Sequence, residues 1–567
     1  MLRRVLVGLS AVCLGVAVGL LVWAAGLSVW SWLVPEPSPG YAAWSESVRQ
    51  GDNASYWAGM SPKAVASSVC AVAVILVAAL VIVRFKRVSR YWGWSVLAAA
   101  IALAYLLLAD SGMRQFFDWM QRLPVTPKLP TAVSSWWLAV SGTVAAALAA
   151  PAAARSARGG LWLAGIGLVV AVVVAGAATM SALRAGDDSR FVDATTATQT
   201  AVPPSPDRLG QKAFTIRIAD DNGPSRGRNW RVEPGGAGFV TYGKDGVTAY
   251  GPDGVERWHY RRSGPRYQTV ADVAVFDQGS TVVVMLGGRP AMLIGLDAFT
   301  GQQLWWSTDG GVTKAFGYLD YNRRSPPYLV GTNKDASEWT RYDTRTGKLL
   351  WSIPAPSTEC RGWYGGNPSL PGSAYRCVSG DKADIRFVDV DPSTGQIRWK
   401  TTLLAGLPYS GHDLNAIRPS ISRAGRDGYV MGAYVESTSD VGTFVSTADR
   451  RVLDFHGQVL VYRTRDESAD FLATGPAPAD DFMLRGPDGQ ARCTFADYPM
   501  TDLLNARAVI LGAEVVFAKR QLKVFNRSDC TATGTAPTAD AEEIIAASGV
   551  VLAVRTEDSG TYVDGYR

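Results

Sequence analysis

Hydrophobic and polar residues divide this chain into two regimes. Up to residue 184 the apolar residues come in long, nearly charge-free runs: Val5 to Trp32, Val65 to Val83, Trp92 to Leu108, Trp136 to Ala154 and Leu161 to Leu183. Each approaches the roughly 20 apolar residues that a helix needs to cross a bilayer core. Beyond Gln211 the apolar stretches are short, rich in β-branched side chains and closed by Gly, Asp, Asn or Pro. GFVTYGKDGVTAYG (Gly238 to Gly251), STVVVMLGG, AMLIGLD, AVILGAEVVFAK and GVVLAVR predict strands joined by tight turns. Between the regimes, DATTATQTAVPPSPD has too little apolar surface to fold alone.

This pattern predicts a multidomain membrane protein. Residues 1–184 form a five-helix transmembrane bundle, 185–210 a linker and 211–567 an all-β domain. The first run is too long for the core of a cleaved signal peptide, and four more follow. Trp clusters at several span ends suit the interface, and small residues in GLSAVCLGVAVG (Gly8 to Gly19) suit close helix packing.

Charge gives the orientation. Arg3 and Arg4, RFKRVSR (Arg84 to Arg90) and ARSARGG (Ala154 to Gly160) carry eight Lys/Arg and no acid. The alternate connections hold Glu36, Glu46, Asp52, Asp110 and Asp118. The positive-inside rule then places the N-terminus in the cytoplasm and the β domain outside. MRQFFDWMQRL (Met113 to Leu123) gathers Phe116, Phe117, Trp119, Met120 and Leu123 on one helix side, to lie in the outer interface or pack on the bundle. No charged residue or His sits mid-span, which argues against an ion or proton pathway. Residues 1–184 hold 14 Lys+Arg and 5 Asp+Glu of whole-chain totals of 56 and 50, so the β domain is slightly acidic and offers no nucleic-acid-binding surface.

The cysteines agree with that topology. Cys13 and Cys70 fall in spans, where a thiol behaves as a small apolar group. Cys360, Cys377, Cys493 and Cys530 lie in the external part, where an even count predicts disulfides. Cys360 and Cys377 flank a Gly/Pro-rich loop and are expected to pair, leaving Cys493 for Cys530.

The β domain repeats itself. LDAFTGQQLWW, RYDTRTGKLLW and VDPSTGQIRW share D-x-x-T-G-x-x-x-W, and GPDGVERW shares its second half. Gly254, Gly301, Gly347 and Gly395 are separated by 47, 46 and 48 residues, and each precedes Trp258, Trp305, Trp351 or Trp399 by four. A period in the forties built from short strands reads as propeller blades. Asp297, Asp343 and Asp391 are placed to cap the turn by accepting backbone N–H bonds, with Thr300, Thr346 and Thr394 closing it. Glycine supplies a positive φ, and the next strand delivers a Trp to cover the adjacent blade.

Later copies degrade. LDFHGQVLVY (Leu453 to Tyr462) has Val461 for Trp, RGPDGQARC (Arg485 to Cys493) has Cys493 there, and LKVFNRSDC (Leu522 to Cys530) resembles only half a unit. The terminal TYVDGYR is expected to pair with AFTIRIAD (Ala213 to Asp220) and close the ring, removing exposed sheet edges. At about 47 residues per unit, the array allows seven blades with one insertion, or at most eight.

These turns resemble the tryptophan-docking repeat of the quinoprotein alcohol dehydrogenase-like (PQQ-like) propellers. The likeness is good from Gly238 to Trp399 and loose beyond. That superfamily includes PQQ-dependent dehydrogenases and the non-enzymatic outer-membrane assembly factor of the BamB type. Five spans ahead of such a propeller also resemble membrane-bound quinoprotein glucose dehydrogenase. The resemblance implies a fold rather than an activity, because the motif residues hold blades together. The dehydrogenases need PQQ, a Ca²⁺ or Mg²⁺ site, an Asp base and often a vicinal Cys pair; this chain has no adjacent cysteines and a shorter propeller.

Candidate chemistry is thin. His259, His412 and His456 are the only histidines. GHDLN (Gly411 to Asn415) groups His412, Asp413 and Asn415, and reads first as a polar loop and second as a site. RWHYRRSGPRYQ (Arg257 to Gln268), with Arg257, Arg261, Arg262 and Arg266, is a solvated basic loop or a contact for anionic lipid or glycan. No catalytic or metal residue is assigned. The expectation is a membrane-anchored, non-enzymatic binding or scaffold module of the bacterial cell envelope. It needs no cofactor, and its partners are membrane lipid and a protein or envelope ligand. The alternative is a PQQ- and Ca²⁺-dependent dehydrogenase feeding membrane quinone; the third possibility is a sensor that couples external ligand to the helices.

Overall fold

A computed structural model describes residues 2–33, 128–153, 160–218, 232–263, 270–287, 291–307, 309–317, 328–332, 338–354, 360, 364–365, 372–408, 417–426, 428–435, 438–455, 461–462, 464, 466–475, 482–495, 507–519, 521–536, 541–557 and 560–567. It falls into two compact units, one essentially Met1–Val192 and the other carrying the β domain.

The first unit contains helices α1 (Leu2–Leu33), α2 (Lys128–Ala153) and α3 (Gly160–Ala185). Glycine sets how α1 meets α3. A Cβ on Gly15 would stand 1.9 Å from the Ala164 carbonyl oxygen, and one on Gly167 would stand 2.1 Å from that of Val12. The two backbones therefore touch, as small-residue crossings in membranes do. Ser135 donates to the Ala24 carbonyl at 2.8 Å, and Trp23 Nε1 donates to Thr179 Oγ1 at 2.9 Å, so these polar side chains find partners on neighbouring helices.

The expectation of five helices needs correction. Among the described residues two helices carry segments long and apolar enough to span, Gly8–Trp30 and Trp162–Ala185. The third holds a shorter apolar stretch, Val133–Ala149. The runs at 65–83 and 92–108 and the amphipathic segment at 113–123 lie outside the described residues.

The second unit is a propeller of eight sheets. Blade 1 takes strands from 232 to 262, with Val192–Ala194 added along its outer edge. Blades 2 to 7 follow in chain order at 270–307, 329–354, 364–408, 417–454, 461–494 and 507–536. Blade 8 takes three strands from 543–566 and its fourth from Lys212–Ile218. The count is therefore eight, not the seven favoured by dividing length by period. The later repeats are shorter, and the final blade draws only three strands from the C-terminal end.

Strand Lys212–Ile218 pairs antiparallel with Gly560–Tyr566, Phe214 facing Gly565 and Ile218 facing Thr561. A first-to-last strand pair of this kind removes two sheet edges at once. Buried Asp564 fastens it, receiving Lys212 Nζ at 2.8 Å, Thr215 Oγ1 at 2.6 Å and Arg555 Nε at 3.0 Å. Three strands thus share one carboxylate. Burial works to raise the Asp564 pKa, but these three donors outweigh it and hold the group below the usual carboxylate range.

Blade 3 is distinct. Helix α4 (Gly310–Gly317), capped by Asp309 Oδ1 at 2.8 Å from the Gly311 N–H, packs Ala315 against Gly331 of the first described strand of that blade.

The Pro/Thr-rich stretch expected as a linker lies on the blades. Thr195 N–H donates to the His259 carbonyl and Ala197 N–H to that of Thr300, both at 2.9 Å. Further on, Gly549 donates to the Pro204 carbonyl at 3.0 Å and Ala513 to that of Asp207 at 2.8 Å. Gln211 and Arg567 exchange both backbone bonds at 3.0 Å. A segment with no core of its own is ordered because neighbouring turns satisfy its backbone.

Candidate functional site

The repeated residues build the seams between blades. In blade 2, Asp297 Oδ1 accepts the N–H groups of Phe299 at 3.0 Å and Thr300 at 3.1 Å, and the Thr300 hydroxyl at 3.2 Å. The turn closes by Gly301 N–H donating to the Asp297 carbonyl at 2.8 Å, with Gly301 at φ 74°. Asp343 and Asp391 repeat this, with Gly347 at φ 68° and Gly395 at φ 76°. Asp391 also takes the Ser393 N–H at 2.7 Å. Burial tends to raise the Asp297 pKa, yet Arg345 at 2.8 Å and the two turn amides hold it below the ordinary range. Ser393 does the same for Asp391.

Each tryptophan then docks on the next blade. Trp258 Nε1 donates to the Ala298 carbonyl at 2.9 Å, Trp305 Nε1 to Thr344 at 2.6 Å and Trp351 Nε1 to Pro392 at 2.9 Å. A Cβ added to Gly301, Gly347 or Gly395 would lie 2.7, 2.7 or 3.0 Å from the ring of Trp258, Trp305 or Trp351. The glycine therefore has two duties: a positive φ, and a flat surface for an indole. Trp399 packs edge-on to Phe387 with centroids 5.7 Å apart.

A bulge places the docking residue. On most outer strands one residue is skipped, so that Trp258 faces Ala249, Trp305 faces Gly295, Trp351 faces Arg341 and Trp399 faces Asp389. Cys493 faces Leu484 and Phe214 faces Gly565 in the same register. Phe214 is the docking residue of blade 8, and Gly254 of blade 1 (φ 79°) lies against its ring.

Blade 5 corrects the reading of LDFHGQVLVY. Its turn is the preceding STADRR, where Arg450 takes the glycine position at φ 56°. Its outer strand has no bulge, so the residue three after the turn, Leu453, faces Phe444. A Cβ on Gly489 of blade 6 would meet Phe444 at 2.7 Å and Leu453 at 3.0 Å. Val461 instead belongs to the first strand of blade 6, and His456 lies outside the described residues.

The blade 6 to blade 7 seam is covalent. Asn526 opens a turn with the same backbone pattern, Cys530 N–H donating to the Asn526 carbonyl at 2.9 Å. Cys530 stands in the glycine position with φ 59°. It is bonded to Cys493, which stands in the tryptophan position of blade 6, with Cα atoms 5.6 Å apart. A disulfide thus replaces an indole-on-glycine contact. Cys360 and Cys377 form the second disulfide, with Cα atoms 4.5 Å apart, inside blade 4. Cys13 is a free thiol in α1, and Cys70 lies outside the described residues.

Polar chemistry at these seams is structural. Buried Asp470 receives Arg527 Nη2 at 2.7 Å and Arg492 Nη2 at 3.1 Å, and Arg527 Nη1 also donates to the Leu511 carbonyl at 2.7 Å. His259 Nδ1 lies 2.5 Å from Glu256, and the His259 backbone N–H donates to Thr195 Oγ1 at 3.1 Å while the Thr195 N–H donates to the His259 carbonyl at 2.9 Å, which ties the segment after the added outer strand to blade 1. Arg257 Nη2 donates to the Thr198 carbonyl at 2.8 Å, Arg261 pairs with Glu256 at 3.3 Å, and Arg262 donates to Tyr260 Oη at 2.9 Å. Arg266 and Gly411 to Asn415, with His412, Asp413 and Asn415, lie outside the described residues. Among the described residues no group of three or more His, Cys, Asp and Glu is arranged to hold a metal ion.

Phe214, Leu453, Asp564 and Asp470 were not singled out from the sequence. The first two escape a fixed D-x-x-T-G-x-x-x-W spacing because one turn is interrupted by the chain ends and the other lacks its bulge.

Residues 232–451, from the first strand of blade 1 to the last turn of blade 5, match a family model described as "Outer membrane protein assembly factor BamB". Similar solved structures include BamB from Moraxella catarrhalis, at 13% identity and TM-score 0.35, covering 64% of this chain and 98% of that one. They include the dihydro-heme d1 dehydrogenase NirN in complex with DHE, at 13% and 0.33, covering 65% and 84%. The Neurospora crassa Pan2 WD40 domain follows at 10% and 0.29, covering 64% and 97%. At such scores these likenesses decide nothing about function. No curated protein matches. The chain is thus an eight-bladed β-propeller with apolar helices in its N-terminal part, and its blades 1 to 5 match the PQQ-like repeat model of that assembly factor.

Proposed function

We propose that this protein is a membrane-anchored, extracytoplasmic propeller that acts as a non-enzymatic binding or scaffold module of the bacterial cell envelope. One observation carries the reading: the repeated Asp, Gly and Trp side chains are engaged in turns and seams, so the motif serves the wheel and not a bound substrate. The family description, an assembly factor, agrees with a protein or envelope ligand as partner. Two disulfides suit an oxidising compartment, and the Lys/Arg asymmetry of residues 1–184 suits several spans with the N-terminus inside.

In this reading the propeller works without a cofactor. Purified protein mixed with PQQ and Ca²⁺ is expected to give no dye reduction with sugars or alcohols. Cofactor-dependent reduction would reverse the ranking in favour of the dehydrogenase. For location, a protease added outside intact cells should cleave the propeller while a tag before Arg3 stays protected; the opposite result would sink the topology.

A further inference from the structure

The large apolar side chains left exposed among the described propeller residues all gather on one face. They are Val202, Val255, Leu349, Leu350, Ile397 and Val452, between 40% and 61% exposed. Val255 directly follows the Gly254 turn, and Leu349, Ile397 and Val452 each come two residues after Gly347, Gly395 or Arg450. They therefore begin the outer strands at the end of the wheel that carries the docking turns. Val202 belongs to the strap at 195–210, which reaches the same end: Ala197 bonds Thr300, and a Cβ on Gly549 would meet both Pro203 and Pro252 at 3.0 Å.

That strap touches blades 7, 8, 1 and 2, and the turns of blades 3 to 5 receive none of its backbone bonds. On those three blades the turns and strand starts, 343–350, 391–400 and 447–454, hold six Lys/Arg and four Asp; Arg345, Arg398 and Arg451 are paired with Asp297, Asp389 and Asp449 at 2.8, 2.9 and 3.3 Å, so the charge offered outward rests mainly on Lys348 and Arg450. The exposed aliphatics are spaced one blade apart along a rim and include no aromatic anchor, unlike the compact centre of a protein hot spot. Aliphatic tips among basic side chains suit a partner that needs no shape complementarity, a bilayer surface with negative headgroups. The strap itself is the stretch of chain that follows the apolar helix α3.

We infer that the turn-bearing face of blades 3 to 5 docks on an anionic lipid surface, with Leu349, Leu350, Ile397 and Val452 entering the headgroup layer and Lys348, Arg450 and Arg451 around them. The inference rests on the membrane anchoring proposed above.

The test uses full-length protein in nanodiscs, one copy per disc, with Cys13 and Cys70 changed to Ala. An environment-sensitive dye is placed on Leu350→Cys or Ile397→Cys. The control is Asp381→Cys, in the turn at the opposite end of blade 4. With phosphatidylglycerol in the disc, the first two dyes should shift to the blue and lose emission to nitroxide-labelled lipid, and the control should do neither. Lys348→Glu with Arg450→Glu and Arg451→Glu, or high salt, should abolish the effect. Equal quenching at both ends, or none at 350 and 397, overturns the inference. A shift seen only with two copies per disc assigns the face to self-association and overturns it as well. Failure to enter discs is a different result, which removes the anchoring itself.

Discussion

Two halves of one ring solve the same problem differently. From blade 1 to blade 4, each seam is an indole laid on a left-handed glycine, with its N–H given to a carbonyl three residues earlier in that turn. From blade 5 to blade 7, the docking residue is Leu453 or a disulfided Cys493, and the receiving positions are Gly489 and Cys530. Both halves keep the turn and its register. The contact position is therefore fixed by backbone geometry, and its chemistry is free to vary from dispersion to a covalent bond.

The comparison breaks most sharply at Trp258, which is fully buried. Trp258→Ala should lower stability by about 3–5 kcal/mol, since a large cavity opens and the Ala298 carbonyl loses its donor. Leu453→Ala, at a partly exposed seam, should cost well under half of that. Denaturant unfolding followed by circular dichroism reads both; equal losses would mean that the two seams do not differ.

Next comes the covalent seam. Cys493→Ala with Cys530→Ala should cost about 2–4 kcal/mol, from a bond closing residues 37 apart. If the disulfide stands in for docking, Cys493→Trp with Cys530→Gly should restore part of that loss and leave the melting temperature with only the dithiothreitol response that the Cys360–Cys377 bond supplies. No recovery would show that the two contacts are not interchangeable.

Ring closure sharpens the contrast with a pH signature. Because the folded Asp564 has a lowered pKa, its contribution is complete above the ordinary carboxylate value of about 4 and is lost as pH falls through the folded value. Asp564→Asn should remove about 1–3 kcal/mol at neutral pH and flatten the acid limb of stability. An unchanged acid limb would argue against the Lys212–Asp564–Arg555 link.

The smallest effect has the opposite sign. Arg450 holds φ 56° where the other half uses glycine, so Arg450→Gly should stabilise by up to about 1 kcal/mol. A loss would mean that the Arg450 side chain supports the seam enough to outweigh its backbone strain.

Much of the wheel was legible beforehand. Spacing alone picked out Gly254, Gly301, Gly347 and Gly395 with their tryptophans, because regular chemistry repeats at a regular period. The terminal strand that closes the ring was visible as a unit stopping at its turn. The blade count, the turn at Arg450 and the strap were not. A missing bulge shifts the docking residue from four to three after the turn, and no residue type announces a bulge. The strap is polar and draws its order from turns far away in sequence. Of the candidate chemistry, His259 takes its role from Thr195, 64 residues away, which only pairing along blade 1 brings to it.

What the sequence by itself determined is local: apolar runs long enough to span, turns that demand glycine, strands that alternate, and cysteines in matching numbers. These follow from nearest-neighbour sterics and from hydrophobic period. What the tertiary structure alone decided is which residue meets which across a seam. That choice depends on register between strands tens of residues apart, and a one-residue slip in register exchanges one contacting side chain for its neighbour.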